Sequence, residues 1–415
     1  MEAQQALLQT IDDHKDQIIS LCSDIVKVPS ENPPGDTRKV VEFISGYLDK
    51  EGLDYRIYAP QKEMPNIVAH LKGAHPGRRL VYNGHLDTYP GGDAGRWERD
   101  PFSGAVVDGK IYGRGSSDMK GGVTGSIMAF TFLAQIRDQF NGEIVMTLVS
   151  DEETGGQWGT QWLLDNIPLV TGDAMINGEP TSCGQVSFAE KGRIFIHAEA
   201  KGKGAHGAYT HIGENAIRKM MLFLQDLEEL EQLDIIAPTE VTRVLEEGRE
   251  VVDAMKGRGA TDVLMGITVN FGTISGGLKV NMVAEGCRAE VDIRLPQGVT
   301  CQRMLEEIDK RVARHPGIFY LASQAMEPNY TPPEHEICIL LQKSAEITKR
   351  SRVVLNSGIG GSDAKHFRER GIPCALYGPR SYNMAGTDEY ITVEDLIITT
   401  KAHAIASLAY LQAER

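Results

Sequence analysis

Short, predominantly apolar segments recur along this chain, and they constrain its fold more than any other feature. They are residues 80–82, 144–149, 174–176, 353–355 and 375–377. Each is followed within two residues by Gly, Asp or Asn, and apolar residues at helical spacing lie between several of them. Strands that are apolar on both sides are typical of a sheet covered by helices on both faces. We therefore expect an α/β fold with a mixed, mostly parallel sheet.

The middle of the chain has a different pattern. Residues 194–200 and 287–295 alternate between apolar and polar side chains, with helical stretches at 214–233 and 301–314. Alternation of this kind is typical of antiparallel strands with one buried face and one solvated face. The pattern predicts a smaller α+β domain, inserted at residues 191–325.

The length of 415 residues also favours two domains, since it exceeds what one hydrophobic core usually serves. We expect a larger domain built from residues 1–190 and 326–415, interrupted by the insertion.

Composition narrows the possible environments. A net charge of -14 argues against nucleic acid, which needs a basic face. The six cysteines are scattered, without a CxxC pair, as in reduced cytosolic proteins. The N-terminus has no signal-peptide core, and the apolar stretch 123–136 is too short and too polar to span a bilayer. These features predict a cytoplasmic protein that binds neither nucleic acid nor membrane.

The stretch "VYNGHLDTYPGG" places an imidazole and a carboxylate at the end of a predicted strand. His85 and Asp87 are two residues apart, so they point to the same side of an extended chain. Histidine is a common metal ligand, and its second ring nitrogen usually donates to a carboxylate. The motif is short, and for an isolated His-x-Asp motif a hydrogen-bonded pair that ends a strand is the more common explanation.

Further acidic residues follow other predicted strands or glycine-rich turns. Asp118 stands in "GRGSSDMKGG", where an N-cap is the alternative. Glu152 and Glu153 stand in "VSDEETGG", where a solvated loop is the alternative, and Glu179 stands in "INGEPT". Proteins with such sheets bind their small molecules and ions beyond the carboxyl ends of the strands. Converging carboxylates without a nearby basic residue favour a cation, and nitrogen and oxygen ligands without thiolate suit zinc, cobalt or manganese.

Five motifs together resemble a known family. "GHLDTYP", "GRGSSDMKGG", "SDEETGG", "GEPT" and "GGSDA" occur in the order found in the dinuclear zinc aminoacylases and carboxypeptidases, the M20-type metallopeptidases. Acetylornithine deacetylase, succinyl-diaminopimelate desuccinylase and the glutamate carboxypeptidases belong to this family. The resemblance runs nearly end to end and implies two divalent metal ions, zinc or else cobalt or manganese.

The resemblance also implies a role for each motif residue. The implied roles are His85 and Glu179 on the first metal, Asp118 bridging both metals, Glu153 on the second metal, Asp87 orienting His85, and Glu152 as general base and proton shuttle.

The inserted domain resembles the family's lid and dimerisation domain. "GKGAHGAYTHIGENAI" matches the lid motif, so His206 is expected to stabilise the oxyanion, in many members from the partner subunit of a homodimer. Asn281 and Arg294 match stretches that contact substrate, and Gly361 lies in "GIGGSDAKHF", which matches a loop lining the pocket. Residues 239–264 suggest only a lid helix or a subunit contact.

One position departs from the family pattern. A histidine completes the second metal site in the family, and Ala385 stands at its place in "SYNMAGTDEYI". The sequence does not distinguish a natural variant from a deliberate substitution. Alanine has no donor atom, so only Asp118 and Glu153 remain and the second site is expected to be weak or empty. His366 is the first residue to test as a replacement ligand.

The function expected from the residues and the resemblance is a metal-dependent amidohydrolase. Its substrate would be an N-acyl amino acid or a related small amide, attacked by a metal-activated water. Glu152 would take the proton of the water and return it to the leaving nitrogen, with turnover impaired by Ala385. Two alternatives remain: a dipeptidase or carboxypeptidase of the same family, and a catalytically silent relative that only binds a ligand.

Overall fold

The computed structural model describes residues 2–413 and divides into two compact units. The first unit contains the chain up to residue 188, residues 331–356, and the chain from residue 362 onward. The second contains residues 189–330 and 357–361.

The strands are β1 (Tyr55–Gln61), β2 (Met64–Lys72), β3 (Arg79–His85), β4 (Val106–Val107), β5 (Lys110–Tyr112), β6 (Glu143–Val149), β7 (Ala174–Asn177), β8 (Gln185–Glu190), β9 (Gly192–Lys201), β10 (Thr268–Gly276), β11 (Gly286–Leu295), β12 (Ile318–Met326), β13 (Asn329–Tyr330), β14 (Val354–Gly358), β15 (Cys374–Leu376) and β16 (Tyr390–Thr392).

The helices are α1 (Glu2–Asp13), α2 (Lys15–Val26), α3 (Arg38–Lys50), α4 (Gly121–Gln135), α5 (Thr160–Asn166), α6 (Ala216–Glu228), α7 (Thr239–Lys256), α8 (Ala260–Met265), α9 (Cys301–Val312), α10 (Glu336–Lys349), α11 (Ala364–Arg368) and α12 (Val393–Gln412).

The main sheet of the first unit has the strand order β1-β2-β6-β3-β7-β15-β8, with β14 beside β8. Its centre is parallel: β3 pairs with β6 and β7, and β7 pairs with β15. The pairs β1–β2, β2–β6 and β8–β15 are antiparallel. The predicted fold class, a mixed and mostly parallel sheet, is confirmed.

Helices cover both faces of this sheet, which explains why its central strands are apolar on both sides. On one face, α4 packs against α12, and both helices contact β3. On the other face, Val81, Val145 and Met175 belong to a buried cluster with Leu163 of α5 and Phe367 of α11. Helix α4 is buried continuously from residue 121 to residue 133, so apolar residues surround it on all sides. Within residues 2–413, no helix combines the length and apolarity needed to cross a membrane.

The second unit contains a four-stranded antiparallel sheet with the order β10-β11-β9-β12. Alternate residues of β9 and β11, among them Ile196 and Val291, form one buried cluster with α6 and α9. The polar residues between them stand on the other face, as the alternation predicted. This sheet and its helices match the expected α+β architecture of the inserted domain.

Candidate metal centre and active site

The candidate ligands meet because three neighbouring strands are parallel. Strands β6, β3 and β7 are adjacent, so their carboxyl ends reach the same edge of the sheet. His85 is the last residue of β3, Glu152 and Glu153 follow β6, and Glu179 follows β7 by two residues. Asp118 joins them from the turn at 116–120 that precedes α4.

Three of these side chains form a group that is able to hold one metal ion. His85 Nε2 lies 3.1 Å from Asp118 Oδ1 and 3.6 Å from Glu179 Oε1. The three ligand atoms lie within 4.8 Å of one another. His85 is 1% exposed, and the side chains of the two acids are 14% and 15% exposed. One imidazole and two carboxylates are a donor set that suits a divalent transition metal.

Asp87 connects the histidine to the loop that carries the two glutamates. His85 Nδ1 donates a hydrogen bond to the backbone carbonyl of Asp87 at 2.8 Å, which fixes the ring with Nε2 directed at the acids. The Asp87 carboxylate lies 3.6 Å from Nδ1. It accepts hydrogen bonds from Asn32 at 2.9 Å and from the backbone N–H groups of Glu152 and Glu153 at 3.2 Å each. Asp87 therefore positions both sides of the cluster.

Glu389 holds the turn that carries Asp118, a role that sequence reasoning missed. Its Oε1 accepts hydrogen bonds from Ser117 N at 3.0 Å, Ser117 Oγ at 2.8 Å and Asp118 N at 3.4 Å. Its Oε2 is paired with the Arg114 guanidinium at 2.5 Å, and both side chains are buried. The available signal was an acid and an arginine, 275 residues apart, that each needed a buried partner.

The cluster carries an excess of buried negative charge. Burial and the neighbouring acids raise the pKa of Glu153 to about 8 and the pKa values of Glu152 and Glu179 well above their usual range. Burial alone would lower the pKa of His85, but the hydrogen bond to Asp118 and the charge of Glu179 outweigh it and raise this pKa. Glu153 Oε1 is buried without a hydrogen-bond partner. These residues fit a divalent cation, which would compensate the charge and occupy the orphaned oxygen.

Ala385 lies next to the Asp118 turn. Its carbonyl accepts a hydrogen bond from Arg114 Nη2 at 3.1 Å, and Arg114 also holds Glu389. Its φ of +59° is in the left-handed region. The side chain ends at Cβ, so position 385 contributes no side-chain ligand.

The imidazole of His366 makes its hydrogen-bond contacts with groups that are not candidate metal ligands. Its Nε2 donates to the Gly155 carbonyl at 3.2 Å, and its Nδ1 lies 3.3 Å from Gln161 Nε2. Burial lowers the pKa of its imidazole to about 4. The group of potential metal ligands found among residues 2–413 does not include it.

The substrate-contact candidates of the second unit have different surroundings. His206 and Asn281 are exposed, and the backbone N–H of Gly207 donates to the Asn281 carbonyl at 2.8 Å. Arg294 makes a bidentate ion pair with Asp292 at 2.8 and 2.9 Å. A Cβ at Gly361 would stand 2.6 Å from the sulfur of Met326, so only glycine fits there without a shift.

Comparison with known proteins places these observations in a family. The model of peptidase family M20/M25/M40 matches residues 81–408. A probable succinyl-diaminopimelate desuccinylase from Staphylococcus epidermidis is 27% identical over 406 residues, covering 95% of this chain and 98% of that protein.

Solved structures show the same fold. An M20 family metallo-carboxypeptidase from Sulfolobus solfataricus has a TM-score of 0.78 at 17% identity, over 95% of this chain and 99% of the other. A Bacillus subtilis protein described as a dinuclear metal binding peptidase of the M20 family has a TM-score of 0.64 at 14% identity, over 97% and 100% of the two chains.

The chain belongs to peptidase family M20/M25/M40, because the family model covers well over half of it. It is a metal-dependent amidohydrolase of that family.

Proposed function

We propose that this protein hydrolyses the amide bond of an N-acyl amino acid or a related small amide. The observation that carries the proposal is the group His85, Asp118 and Glu179 at the carboxyl edge of the sheet, joined through Asp87 to the loop of Glu152 and Glu153. The same edge of the sheet thus offers metal ligands and a carboxylate that is free to transfer protons.

The ligand assignment follows the positions of the side chains. His85 and Glu179 would hold one metal ion, Asp118 would be shared, and Glu153 would hold a second. The ions would be zinc, cobalt or manganese. When bound, they would supply Lewis acidity, which polarises the scissile carbonyl and acidifies the attacking water.

Glu152 is the proposed general base. Its backbone N–H is fixed by Asp87, and burial raises the pKa of its carboxyl, so it holds a proton more readily than an exposed glutamate. A base with a raised pKa is suited to take a proton from water near neutral pH and to return it to the leaving nitrogen. Glu152 would therefore act twice in each turnover.

The second unit is assigned substrate contacts. His206 would stabilise the oxyanion, and Asn281, Arg294 and Gly361 would contact the acyl or carboxylate group. The guanidinium of Arg294 has five N–H donors, of which the pair with Asp292 uses two. A substrate carboxylate would have to share Arg294 with Asp292, so this contact would tune affinity more than rate.

A homodimer through the second unit is part of the proposal. Strand β10 is an edge of its sheet, and the following segment exposes Leu278 at 89% and Val280 at 100%. An unpaired, partly apolar edge is a ready surface for pairing with a second copy. Light scattering of the purified protein tests this, and a monomer at all concentrations contradicts it.

The position of Ala385 has a consequence for the second metal. Without a histidine there, the second site should be weaker than the first, and turnover lower than with a histidine. The six cysteines are free and buried, which supports a reducing compartment such as the cytoplasm.

A substrate panel with added zinc, cobalt or manganese tests the activity. We expect N-succinyl and N-acetyl amino acids to be cleaved faster than dipeptides, in line with the desuccinylase that shares 27% of its sequence with this chain. Faster cleavage of dipeptides would favour the peptidase alternative. Binding of metal without turnover of any member of the panel would favour the silent relative.

A further inference from the structure

The polar face of the sheet in the second unit contains one unbalanced pair of charges. Strands β9 and β11 are antiparallel neighbours, so residues directly opposite each other on this face form rows of two. The four rows are Glu199 with Arg288, His197 with Glu290, Phe195 with Asp292, and Arg193 with Arg294. The last of these four rows joins two side chains of the same charge.

Two of the other rows are balanced across the strands. Arg288 Nη2 lies 3.7 Å from Glu199 Oε1, and His197 Nδ1 lies 3.4 Å from Glu290 Oε1. Like charges that stand directly opposite each other destabilise a sheet. The row of two arginines therefore needs a negative partner.

Asp292 supplies that partner to Arg294 and leaves Arg193 without one. Both oxygens of the Asp292 carboxylate accept hydrogen bonds from Arg294, at 2.8 and 2.9 Å. Arg193 Nε is buried and has no hydrogen-bond partner among residues 2–413, and no ion pair of its guanidinium is found there.

The two guanidinium groups share one aromatic ring. That of Arg193 lies 5.6 Å from the centre of the Phe195 ring, and that of Arg294 lies 5.9 Å from it. A cation–π contact attracts a cation to the ring but does not neutralise its charge. Phe195 therefore positions Arg193 and leaves its N–H donors available to an anion.

We propose that Arg193, beside Arg294, binds a carboxylate of the substrate and so selects acyl groups that carry a second negative charge. This proposal rests on the proposed function, in which the second unit contacts the substrate. A guanidinium presents a planar fork of N–H donors that matches a carboxylate through two parallel hydrogen bonds. An acyl group derived from a dicarboxylic acid supplies such a carboxylate, whereas an acetyl group does not.

A purely structural role for Arg193 predicts a different result. An arginine that only packs on Phe195 would stabilise the sheet, so its loss would lower the melting temperature and affect all substrates alike. A contact with a carboxylate changes the relative KM values of two substrates that differ by that carboxylate.

The test compares the N-succinyl and N-acetyl derivatives of one amino acid, with zinc added to the full-length protein. The variants are Arg193→Gln, which removes the charge, and Arg193→Lys, which keeps the charge without the fork. Arg288→Gln is the matched control, because it removes an arginine of the same face that already has Glu199 opposite it. Calorimetry of the metal-stripped protein with free succinate, acetate and inorganic phosphate measures anion binding without turnover.

We expect kcat/KM of the wild type to favour the N-succinyl substrate, and free succinate to bind more tightly than acetate or phosphate. Arg193→Gln should lower this substrate preference about 10–100-fold, chiefly through a higher KM for the N-succinyl substrate, because a hydrogen bond to a charged group is lost. Succinate binding should weaken by a similar factor. Arg193→Lys should lie between the two, and Arg288→Gln should keep the wild-type preference.

Three results would overturn the proposal. If Arg193→Gln and Arg288→Gln change the preference equally, Arg193 does not recognise the acyl group. If succinate binding depends on Arg193 but the substrate preference does not, the site takes free carboxylates instead of the substrate. Tighter binding of phosphate than of succinate would assign the site to another class of anion.

Failure of the proposed function would give a distinct result. If no N-acyl substrate is cleaved although succinate binding depends on Arg193, the proposed function is wrong and the substrate assignment falls with it. If both substrates are cleaved and Arg193→Gln leaves their ratio unchanged, the proposed function stands and the role of Arg193 alone is wrong.

Discussion

The two units of the molecule place their candidate functional residues in opposite ways. In the first unit, His85, Asp118 and Glu179 come from separate segments and meet within 4.8 Å. In the second unit, His206 is exposed, and Arg294 is already paired with Asp292 two residues away. The first set is held by long-range topology, and the second set belongs to local segments of one sheet and its loops.

This difference indicates what each region contributes. Buried like charges raise the free energy of the metal-free protein. Hydrogen bonds from backbone N–H groups to the carboxylates of Asp87 and Glu389 maintain this arrangement. Such a site is preorganised for a cation. Exposed side chains in the second unit require no compensating partner, so changes there should affect substrate and transition state while leaving metal affinity intact.

The largest effect that would test this difference between the two units is expected for Glu152→Gln in the first unit. Glutamine keeps the shape but cannot take the proton of the attacking water, so kcat should fall by about 10²–10⁴. Zinc affinity should barely change, because Glu152 is not one of the proposed ligands. Steady-state kinetics and a zinc titration of the same preparation measure both. Unchanged turnover would move the base to another residue.

The next test is His206→Ala in the second unit. Removing one oxyanion donor typically costs about 10²–10³ in kcat, and zinc binding should match the wild type. Mixing this variant with Glu152→Gln should regain activity if His206 serves the site of the partner subunit, because a heterodimer then contains one complete site. Full activity of His206→Ala would remove this residue from the mechanism, and failure of the mixture to regain activity would place it in its own subunit's site.

Much of the fold was predictable because its signals are local. β3, β6 and β7 contain apolar segments, and β9 and β11 contain alternating ones, because these strands bury two faces and one face respectively. The polarity of successive side chains therefore indicates which faces are buried. Helix ends were less predictable. The stretch expected to be helical over 214–233 is α6 only from 216 to 228, because Asn215 caps its start and the helix gives way to a single tight turn at 229.

The candidate site was predictable only in part. The acids after β6 and β7 could be assigned to one edge, since parallel strands place their carboxyl ends together. Glu389 could not, because its importance depends on contacts with Ser117 and Asp118, which lie far from it in sequence. Asp87 was expected to act on His85 through its carboxylate, whereas the closest contact to the ring is made by its backbone carbonyl.

Glu389→Gln tests whether the metal cluster depends on its supporting contacts. The change removes the negative charge opposite Arg114 and weakens the bonds that hold the Asp118 turn. Zinc affinity should fall about 10–100-fold, as is usual for partners that orient metal ligands. Asp292→Asn in the second unit is the matched control, since it also breaks an arginine pair and should leave zinc affinity unchanged.

The smallest expected effect is the pH dependence of stability. The folded pKa of Glu153 is about 8 and its ordinary value is 4.5, so between these values the metal-free native state holds a proton that the unfolded chain has lost. Stability of the metal-free protein should therefore fall as pH rises through this window, and the raised pKa values of Glu152, Glu179 and His85 act with the same sign.

Two buried histidines have the opposite effect at lower pH. The pKa values of His366 and His403 are lowered to about 4, so their contribution to stability rises with pH and is complete above their ordinary value of 6.5. Melting curves between about pH 6.5 and 8.5 avoid these histidines. Burial lowers the pKa of Lys120 to about 7 and that of Lys191 to about 8, and both lysines make stability rise with pH in this window, so the cluster is isolated by the difference between the wild type and Glu153→Gln.

Bound zinc should reverse the fall in stability that the metal-free protein shows as pH rises from about 6.5 to 8.5. Metal binds deprotonated ligands, so its affinity rises with pH, and at a hundredfold excess over the dissociation constant it adds about 2.7 kcal/mol of stability. The gap in melting temperature between the zinc-loaded and the chelated protein should widen as pH rises. Glu153→Gln should flatten the slope of the chelated protein, because glutamine does not titrate. A gap that stays constant from pH 6.5 to 8.5 would mean that the acidic cluster is not where the metal binds, and the contrast between the two units would lose its physical basis.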